Sequence, residues 1–310
     1  MTAQLLNDIV SAFVAALEAG TVTLGQYSFG LLAIAATLAF YFQVGPQVAS
    51  GGTGVGEAIG GFLLLALKIG IVSWLVLHLP DLASAAFDTF AQWGAAVSGG
   101  GFTRQQFLSP AEIVDTGFRM ARPLRDFTSN MLNFFTNDIG TLLAYQVGYY
   151  AILVGFFVVA LHVIMVIIEF NLAVLVATVS LPWAVFPALS FFGDFVVAWL
   201  LGAMIRVLLT AAMVSIGLPL FQGLTFTLSS GGDPTFYSGL LVGGTAVLFA
   251  ILSWVLPSRA AAIAGRGVSL GLTGSDVVAG AATGARFATL GIRLPLAAFR
   301  TVSPLLKAAL

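Results

Sequence analysis

The sequence predicts an all-α, polytopic integral membrane protein with about five transmembrane helices and further amphipathic helices at the membrane surface. Hydrophobic residues make up 59% of its 310 residues and charged residues 8%, whereas a soluble domain carries about 25% charged residues. So few charges cannot cover a water-exposed surface, which excludes a water-soluble enzyme. The high apolar content also excludes a disordered chain. Cysteine is absent, which excludes disulfides and thiolate metal ligands.

Five apolar segments reach the roughly 20 residues that a helix needs to cross a bilayer: 22–42, 61–80, 142–168, 195–220 and 238–256. A sixth apolar stretch, 171–192, contains Pro182 and Pro187. Proline removes a helical hydrogen bond, and such a break survives in lipid where neighbouring helices or a cavity satisfy the freed carbonyl. We therefore expect 142–257 to form a transmembrane core in which 171–192 is re-entrant or kinked. A sixth span is the alternative.

Amphipathic helices are expected on either side of the first two spans. Residues 1–21 place apolar side chains, Phe13 among them, on one helical face. Residues 22–80 then hold the first two spans and a Gly-rich loop. Residues 81–141 form the one large extramembrane region, in which 82–97 are again amphipathic.

A further helix is predicted within this region. The run Ser109-Pro110-Ala111-Glu112 is typical of a helix start, because Ser caps, Pro fits the first turn and Glu can complete a capping box. One side of the helix is apolar, with Ile113, Gly117, Met120 and Leu124, and another side is basic, with Arg119, Arg122 and Arg125. Phe13 and these arginines are the candidate partner-docking residues.

The segment 258–310 is a basic tail. It holds six basic residues and one acid, Asp276, and the positive-inside rule places such a tail in the cytoplasm. Four of its cations are spaced by seven residues: Arg286, Arg293, Arg300 and Lys307. We expect them to bind anionic phospholipid headgroups, at about 1 kcal/mol per cation. Contact with a cytoplasmic ATPase or with nucleic acid is the alternative.

Four ionisable residues lie in or at the ends of apolar segments: Lys68, Glu169, Asp194 and Arg206. Such groups face a wet cavity or the bundle interior. Arg206 and Lys68 either line an aqueous lumen or pair with Glu169 or Asp194 and hold helices in register. His162 shares a helix face with Glu169, but zinc normally takes at least three protein ligands. An interfacial, hydrogen-bonded histidine is expected, with no metal and no cofactor.

Glycines recur every fourth residue at two places. One set is Gly52, Gly56 and Gly60, and the other is Gly239 and Gly243. Small residues at this spacing let two helix backbones approach closely. We expect both sets to pack helices or subunits, with a flexible turn as the alternative around 51–56.

Residues 169–221 and their flanks resemble a known family. The stretches that carry the resemblance are Ile168-Glu169-Phe170-Asn171-Leu172, Leu181-Pro182-Trp183, Phe191-Phe192-Gly193-Asp194, Trp199-Leu200-Leu201-Gly202, Ile205-Arg206-Val207-Leu208-Leu209 and Gly217-Leu218-Pro219-Leu220-Phe221. They look like the membrane core of the TrbL-like inner-membrane subunits of type IV secretion and conjugative transfer systems. The order of helices and loops over 22–257 is similar as well.

The resemblance implies a channel component of the bacterial inner membrane. In that family, identical subunits are thought to form a ring, a pentamer, at the base of a periplasmic stalk. A minor pilin of the TrbJ type docks on its periplasmic side, and the secretion ATPases lie nearby. The N-terminus is periplasmic and the C-terminus cytoplasmic, which favours five spans.

The sequence thus predicts a channel or scaffold component that oligomerises into the base of the pilus or stalk and forms part of the translocation path for DNA or protein. The alternative is a secondary transporter of a small solute, with the broken stretch 171–192 at its substrate site. A scaffold that only seats the pilin and the ATPases is a third reading. No enzyme is expected, because no catalytic motif stands out.

Overall fold

The computed structural model describes residues 2–43, 45–46, 55–99, 104–132, 139–230 and 236–264. These residues form seven α-helices and two short 3-10 helices, and no strand occurs among them. The helices are α1 (Thr2–Gln43), α2 (Val55–Ala96), α3 (Arg104–Phe107), α4 (Pro110–Leu132), α5 (Ile139–Ser180), α6 (Ser190–Ser230) and α7 (Phe236–Ala264). The 3-10 helices, Leu181–Val185 and Pro187–Leu189, join α5 to α6.

Five stretches of the described chain are long and apolar enough to cross a membrane. They are Gln4–Gln43, Ile59–Ala96, Ile139–Val185, Pro187–Phe221 and Gly239–Ile263. The all-α membrane fold that the sequence predicted is therefore confirmed. The most apolar stretch contains α5, which lies at the centre of the bundle and packs against α1, α4, α6 and α7.

The helices are longer than the predicted spans. α1 and α2 each contain 42 residues, so the amphipathic segments expected at 1–21 and 82–97 are continuous with the first two apolar segments. Each helix runs without a break through the expected boundary, at 21–22 in α1 and at 80–81 in α2. Pro80 lies inside α2 between the buried residues Leu79 and Ala83. Packing on both sides of a proline holds a helix together where sequence rules alone would end it.

The break expected over 171–192 is shorter and lies at 181–189. α5 continues to Ser180, and Pro182 and Pro187 each stand in the first turn of a 3-10 helix, where a missing N–H costs no hydrogen bond. The segment Leu181–Val185 packs against α1, α2 and α6, and most of its side chains are buried. The stretch is the end of α5 followed by a buried connection to α6.

α4 begins at Pro110, as the sequence predicted, and Asn7 of α1 helps to cap it. Asn7 Oδ1 accepts a hydrogen bond from the Ala111 N–H at 3.2 Å, and Asn7 Nδ2 donates to Ser109 Oγ at 3.3 Å. The first N–H groups of a helix need such partners. The predicted apolar side of α4 is buried, with Ile113, Gly117, Met120 and Leu124.

Facing glycines bring α5 and α7 close together. A Cβ at Gly148 would meet the carbonyl oxygen of Gly239, and a Cβ at Gly243 would lie 2.8 Å from the Gly148 Cα. A Cβ at Gly155 would lie 2.9 Å from the carbonyl oxygen of Ala246. Residues without large side chains let helix backbones pack this closely in lipid.

Candidate functional site

Glu169 of α5 and Arg206 of α6 form an ion pair that joins Glu169 Oε2 to Arg206 Nη1. The Glu169 side chain is 31% exposed and the Arg206 side chain 22% exposed, so the pair lies at the edge of the helix bundle. Of the two alternatives that the sequence left open for Arg206, pairing is what the single subunit forms. Because both side chains are partly exposed, molecules beside the protein can contact the pair.

The ion pair opens into a cleft of about 380 Å³ whose walls include Trp199 and Gly202 of α6 and Ala261 of α7. The cleft narrows where α6 meets α7, because a Cβ at Gly202 would lie 3.3 Å from the Ala261 carbonyl oxygen. Arg206 Nε is buried and has no hydrogen-bond partner among the described residues. Arg206 therefore pairs with Glu169 through Nη1, whereas its Nε–H donates to no acceptor among the described residues.

His162 lies two turns before Glu169 on α5. It is buried, and its Nε2 lies 3.5 Å from Thr210 Oγ1 of α6. Its ring lies beside the Trp254 ring of α7, with the ring centroids 5.2 Å apart and the ring planes tilted by 33°. The structure thus gives His162 a hydroxyl partner, as predicted, but buries the side chain between α5, α6 and α7 rather than at an interface. In the described ranges, no three His, Asp or Glu side chains stand close enough together to hold a metal ion.

Lys68 of α2 is half-buried, and the Asp194 carboxylate near the start of α6 acts on it electrostatically. The four intramembrane charges thus fall into two neighbourhoods of opposite charges. Glu169 and Arg206 form a direct ion pair, and Lys68 and Asp194 are neighbours of opposite charge. Charges that lie in apolar segments commonly pair in this way.

The predicted glycine sets behave differently. Gly239 and Gly243 pack against α5, as described above. Gly56 and Gly60 have no atom within 4 Å of the position that a Cβ would occupy. Gly52 lies outside the described residues. The sequence analysis missed Gly148 and Gly155 on α5. The available signal was a small residue four positions before each of them, Ala144 and Ala151.

The predicted docking residues lie on the surface of the subunit. Phe13 is 55% exposed and lies on one face of α1 with Leu5 and Ile9, which are exposed as well. Arg119 is exposed and pairs with Asp115 on its own helix, with Arg119 Nε 3.2 Å from Asp115 Oδ2. Arg122 and Arg125 are exposed on α4. The basic tail residues Arg286, Arg293, Arg300 and Lys307 lie outside the described residues.

A second cavity, which the sequence analysis did not predict, lies where α1, α2, α5 and the start of α4 meet. It has a volume of about 740 Å³ and is lined by the carboxylates of Glu18, Asp81 and Asp88. We call it the carboxylate cavity. No Lys, Arg or His is among its described lining residues. The available signal was the seven-residue spacing of Asp81 and Asp88, which places both side chains on one helix face.

Comparison with known proteins places this chain in a family. The family model described as "TrbL/VirB6 plasmid conjugal transfer protein" matches residues 32–256, more than half of the 310-residue chain. The match covers α2, α5 and α6 with the Glu169–Arg206 pair, and most of α7. A comparison with curated proteins gave no match. The chain therefore belongs to the TrbL/VirB6 family of plasmid conjugal transfer proteins, and it is a multi-pass membrane protein of that family.

Proposed function

We propose that this chain is an inner-membrane subunit of a type IV secretion or conjugative transfer machine. Copies of it would assemble into a ring at the base of the pilus or stalk, and the ring would enclose part of the translocation path. The family match supports the role in conjugal transfer. The ring and the path are supported by the dimensions and the charges of the helices.

The observation that carries the assembly is the length of the exposed apolar surface on α5. Between Leu143 and Leu172, one side of the helix is lined by exposed apolar residues: Leu143, Val147, Tyr150, Val154, Phe157, Leu161, Met165 and Leu172. At 1.5 Å per residue this stripe is about 44 Å long. A bilayer core is roughly 30 Å thick, and a helix tilted by 40° crosses it in about 39 Å. The stripe is therefore longer than the hydrocarbon that even a strongly tilted helix crosses, and further copies of the chain would cover the part that extends beyond it.

Native mass spectrometry of the protein, released from detergent or nanodiscs, tests the assembly. We expect a single oligomeric species, and the family resemblance favours a pentamer. Strictly monomeric protein that still supports plasmid transfer in cells would overturn the proposal.

The Glu169–Arg206 pair and the Lys68–Asp194 association would face the shared passage. Charges at the subunit edge become lumen-lining when copies close around an axis, and water in the lumen would solvate the exposed parts of both groups. Arg206→Leu alone leaves Glu169 unpaired and can perturb folding. The double variant Glu169→Leu/Arg206→Leu removes both charges without leaving an unpaired one.

We expect the double variant to assemble normally and to lower transfer frequency at least tenfold. Transfer at the wild-type level by the assembled double variant would overturn the lumen role. It would favour a scaffold that only seats its partners.

The proposed orientation places the N-terminus in the periplasm and the C-terminus in the cytoplasm, on opposite sides as five spans require. A TrbJ-like minor pilin would dock on exposed periplasmic residues, with Phe13 of α1 and Arg119 of α4 as the contact points. The basic tail would meet anionic phospholipids and the secretion ATPases. Photo-crosslinkers at Phe13 and at Arg286 test the two sides, since pilin and ATPase adducts should form at opposite ends of the chain.

A secondary transporter stays the rival function. Its structural basis was a broken helix at 171–192, and the break at 181–189 lines neither of the two cavities described above. Solute flux through proteoliposomes that contain only this protein would favour the transporter, and its absence would leave the transfer machine.

A further inference from the structure

The carboxylate cavity combines an apolar floor with a negative rim. Val10 of α1, Phe87 of α2 and Phe170 of α5 contribute apolar side chains to its walls. Glu18 and Asp81 line it and are exposed. A pocket of this size lies within the range of about 300–1,000 Å³ that is typical of binding sites. Its chemistry fits a ligand with an apolar or aromatic group flanked by cations.

α4 carries a surface of the complementary chemistry. Phe118 is 48% exposed, and Arg122 and Arg125 follow at four and seven residues, which places all three on one helix face. Arg122 and Arg125 form no ion pair with the described residues, whereas Arg119 lies on the next face and is paired with Asp115. We call Phe118, Arg122 and Arg125 the arginine face.

The two surfaces cannot meet within one subunit. Asn7 holds the start of α4 at the edge of the cavity, where Ser109 is part of the lining. Phe118 to Arg125 then lie about 12–23 Å further along the helix. Gly117 packs directly on the Phe156 side chain, with only 2.6 Å between a Gly117 Cβ and the Phe156 Cβ. This contact fixes α4 on α5, so the arginine face points away from the subunit's own cavity.

We propose that the arginine face of one copy docks into the carboxylate cavity of the next copy. This inference rests on the self-assembly proposed above and names its contact. Each copy carries one of each surface, so the contact is heterologous, and a heterologous contact closes into a ring when its rotation permits. Both complementary surfaces belong to this chain, so a second copy is the favoured occupant. The contact assigns Arg122 and Arg125 to the neighbouring subunit rather than to the pilin.

Charge reversal tests the contact. Arg122→Glu places a carboxylate against Asp81 and Glu18, and Asp81→Arg places a guanidinium against the arginine face. Each should weaken assembly at least tenfold, measured as the protein concentration at which native mass spectrometry shows half of the subunits assembled. The combined variant Arg122→Glu/Asp81→Arg should recover most of that loss.

Arg119→Glu is the matched control. It makes the same change in charge on the same helix, three residues away and outside the arginine face. The measurement uses the purified protein without pilin, so the pilin contact proposed for Arg119 does not enter it. We expect Arg119→Glu to assemble like the wild type. Equal weakening by Arg119→Glu and Arg122→Glu, or no recovery in the combined variant, would overturn the contact.

Disulfide crosslinking gives a second, geometric test, because the chain has no native cysteine. Ser84 lines the cavity. Val114 lies one helical turn before Phe118, on the same side of α4 as the arginine face. The double variant Ser84→Cys/Val114→Cys should form a ladder of covalent oligomers on mild oxidation. Each single variant has one thiol and can give dimers at most. A double variant that yields only monomers would overturn the contact.

The outcomes separate this contact from the proposed function. A monomeric wild type would overturn both. An oligomeric wild type whose Arg122→Glu variant assembles equally well would overturn the contact alone. Loss of pilin crosslinks in Arg122→Glu, with assembly intact, would return the arginine face to the pilin and would also overturn the contact.

Discussion

The α5–α7 contact and the first half of α2 both present glycines four residues apart, and they differ in what meets them. Gly239 and Gly243 lie against the backbone of α5, where a Cβ would clash. Gly56 and Gly60 face open space. Glycines spaced by four residues therefore allow a second helix to pack closely. Whether a second helix packs there depends on the arrangement of the other helices.

The same contrast extends to the two halves of the bundle. On the α5–α6–α7 side, glycines, the Glu169–Arg206 pair and the cluster of Phe156, Phe221 and Phe249 fill the spaces between helices. On the α1–α2 side, Gly25, Gly30 and Gly70 have nothing within 4 Å of the position that a Cβ would occupy, although Gly94 of α2 packs against the backbone of α6. Large apolar side chains are exposed on the outer faces of both halves. The difference therefore lies in the contacts between helices, which are tight around the glycines of the first half and open around most glycines of the second.

The largest effect should come from Gly148→Ala. The new Cβ would meet the Gly239 carbonyl oxygen, and because that contact is backbone it cannot be relieved by rotating a side chain. Overpacking of this kind costs about 3 kcal/mol at its upper end. The midpoint of unfolding in SDS titrations should fall accordingly. An unchanged midpoint would mean that α5 and α7 do not touch as closely as described.

A smaller loss is expected for Glu169→Leu, which leaves Arg206 unpaired between α5 and α6. Breaking a buried pair from one side costs about 3–5 kcal/mol, and partial exposure should reduce this to about 2 kcal/mol. The double variant Glu169→Leu/Arg206→Leu should recover part of that loss. Asp115→Ala breaks the exposed Asp115–Arg119 pair instead and should cost under about 0.5 kcal/mol. Similar costs for Glu169→Leu and Asp115→Ala would contradict the expectation that the less exposed pair contributes more to stability.

Asn7→Ala tests the side-chain hydrogen bonds by which α1 caps the start of α4. It removes an N-cap partner, which costs about 1 kcal/mol. Hydrogen exchange at the Ala111 amide should speed up, while exchange in α7 stays unchanged. Ser11→Ala is the control, since Ser11 Oγ donates only to Asp8 O within its own helix. Equal protection of Ala111 in both variants would show that α4 is capped without α1.

A small effect of the opposite sign, a gain in stability, is expected for Gly60→Ala. The added methyl group meets no neighbour in the subunit, and alanine restricts the unfolded chain, so the isolated subunit should gain about 0.5 kcal/mol. The same variant in the assembled protein tells whether another copy covers this face. Loss of assembly with a gain in subunit stability would show that it does. A loss of subunit stability would contradict the open environment of Gly60.

Local patterns predicted much of this fold. Apolar length predicted five candidate spans, and the spacing of Ile113, Gly117, Met120 and Leu124 predicted the buried side of α4. These features depend on residues within a few turns of each other. The sequence predicted that Arg206 either lines a lumen or pairs with a carboxylate. Only the approach of α6 to α5 selects Glu169 as its partner.

Contacts between distant segments could not be predicted in the same way. Asn7 lies 104 residues from Ala111, and the carboxylates of Glu18 and Asp81 come from different helices. Their juxtaposition depends on how α1 crosses α2 and α5, which no single segment encodes. The continuity of α1 across 17–22 and of α2 across Pro80 was missed for a related reason. Packing against neighbouring helices overrides local propensity there.

α1 has a mechanical consequence. It is one 42-residue helix without proline, about 63 Å long, and it is held at both ends and near its middle. Asn7 is bonded to the start of α4, Ser28 Oγ donates to the Thr178 carbonyl at 2.6 Å, and the Phe42 ring lies 5.9 Å from the ring of Phe186. These three contacts tie the start of α4, the end of α5 and the α5–α6 connection to one continuous helix. Any change in the tilt of α1 would therefore be shared by all three places, which lie up to about 53 Å apart along the helix axis from Asn7 to Phe42.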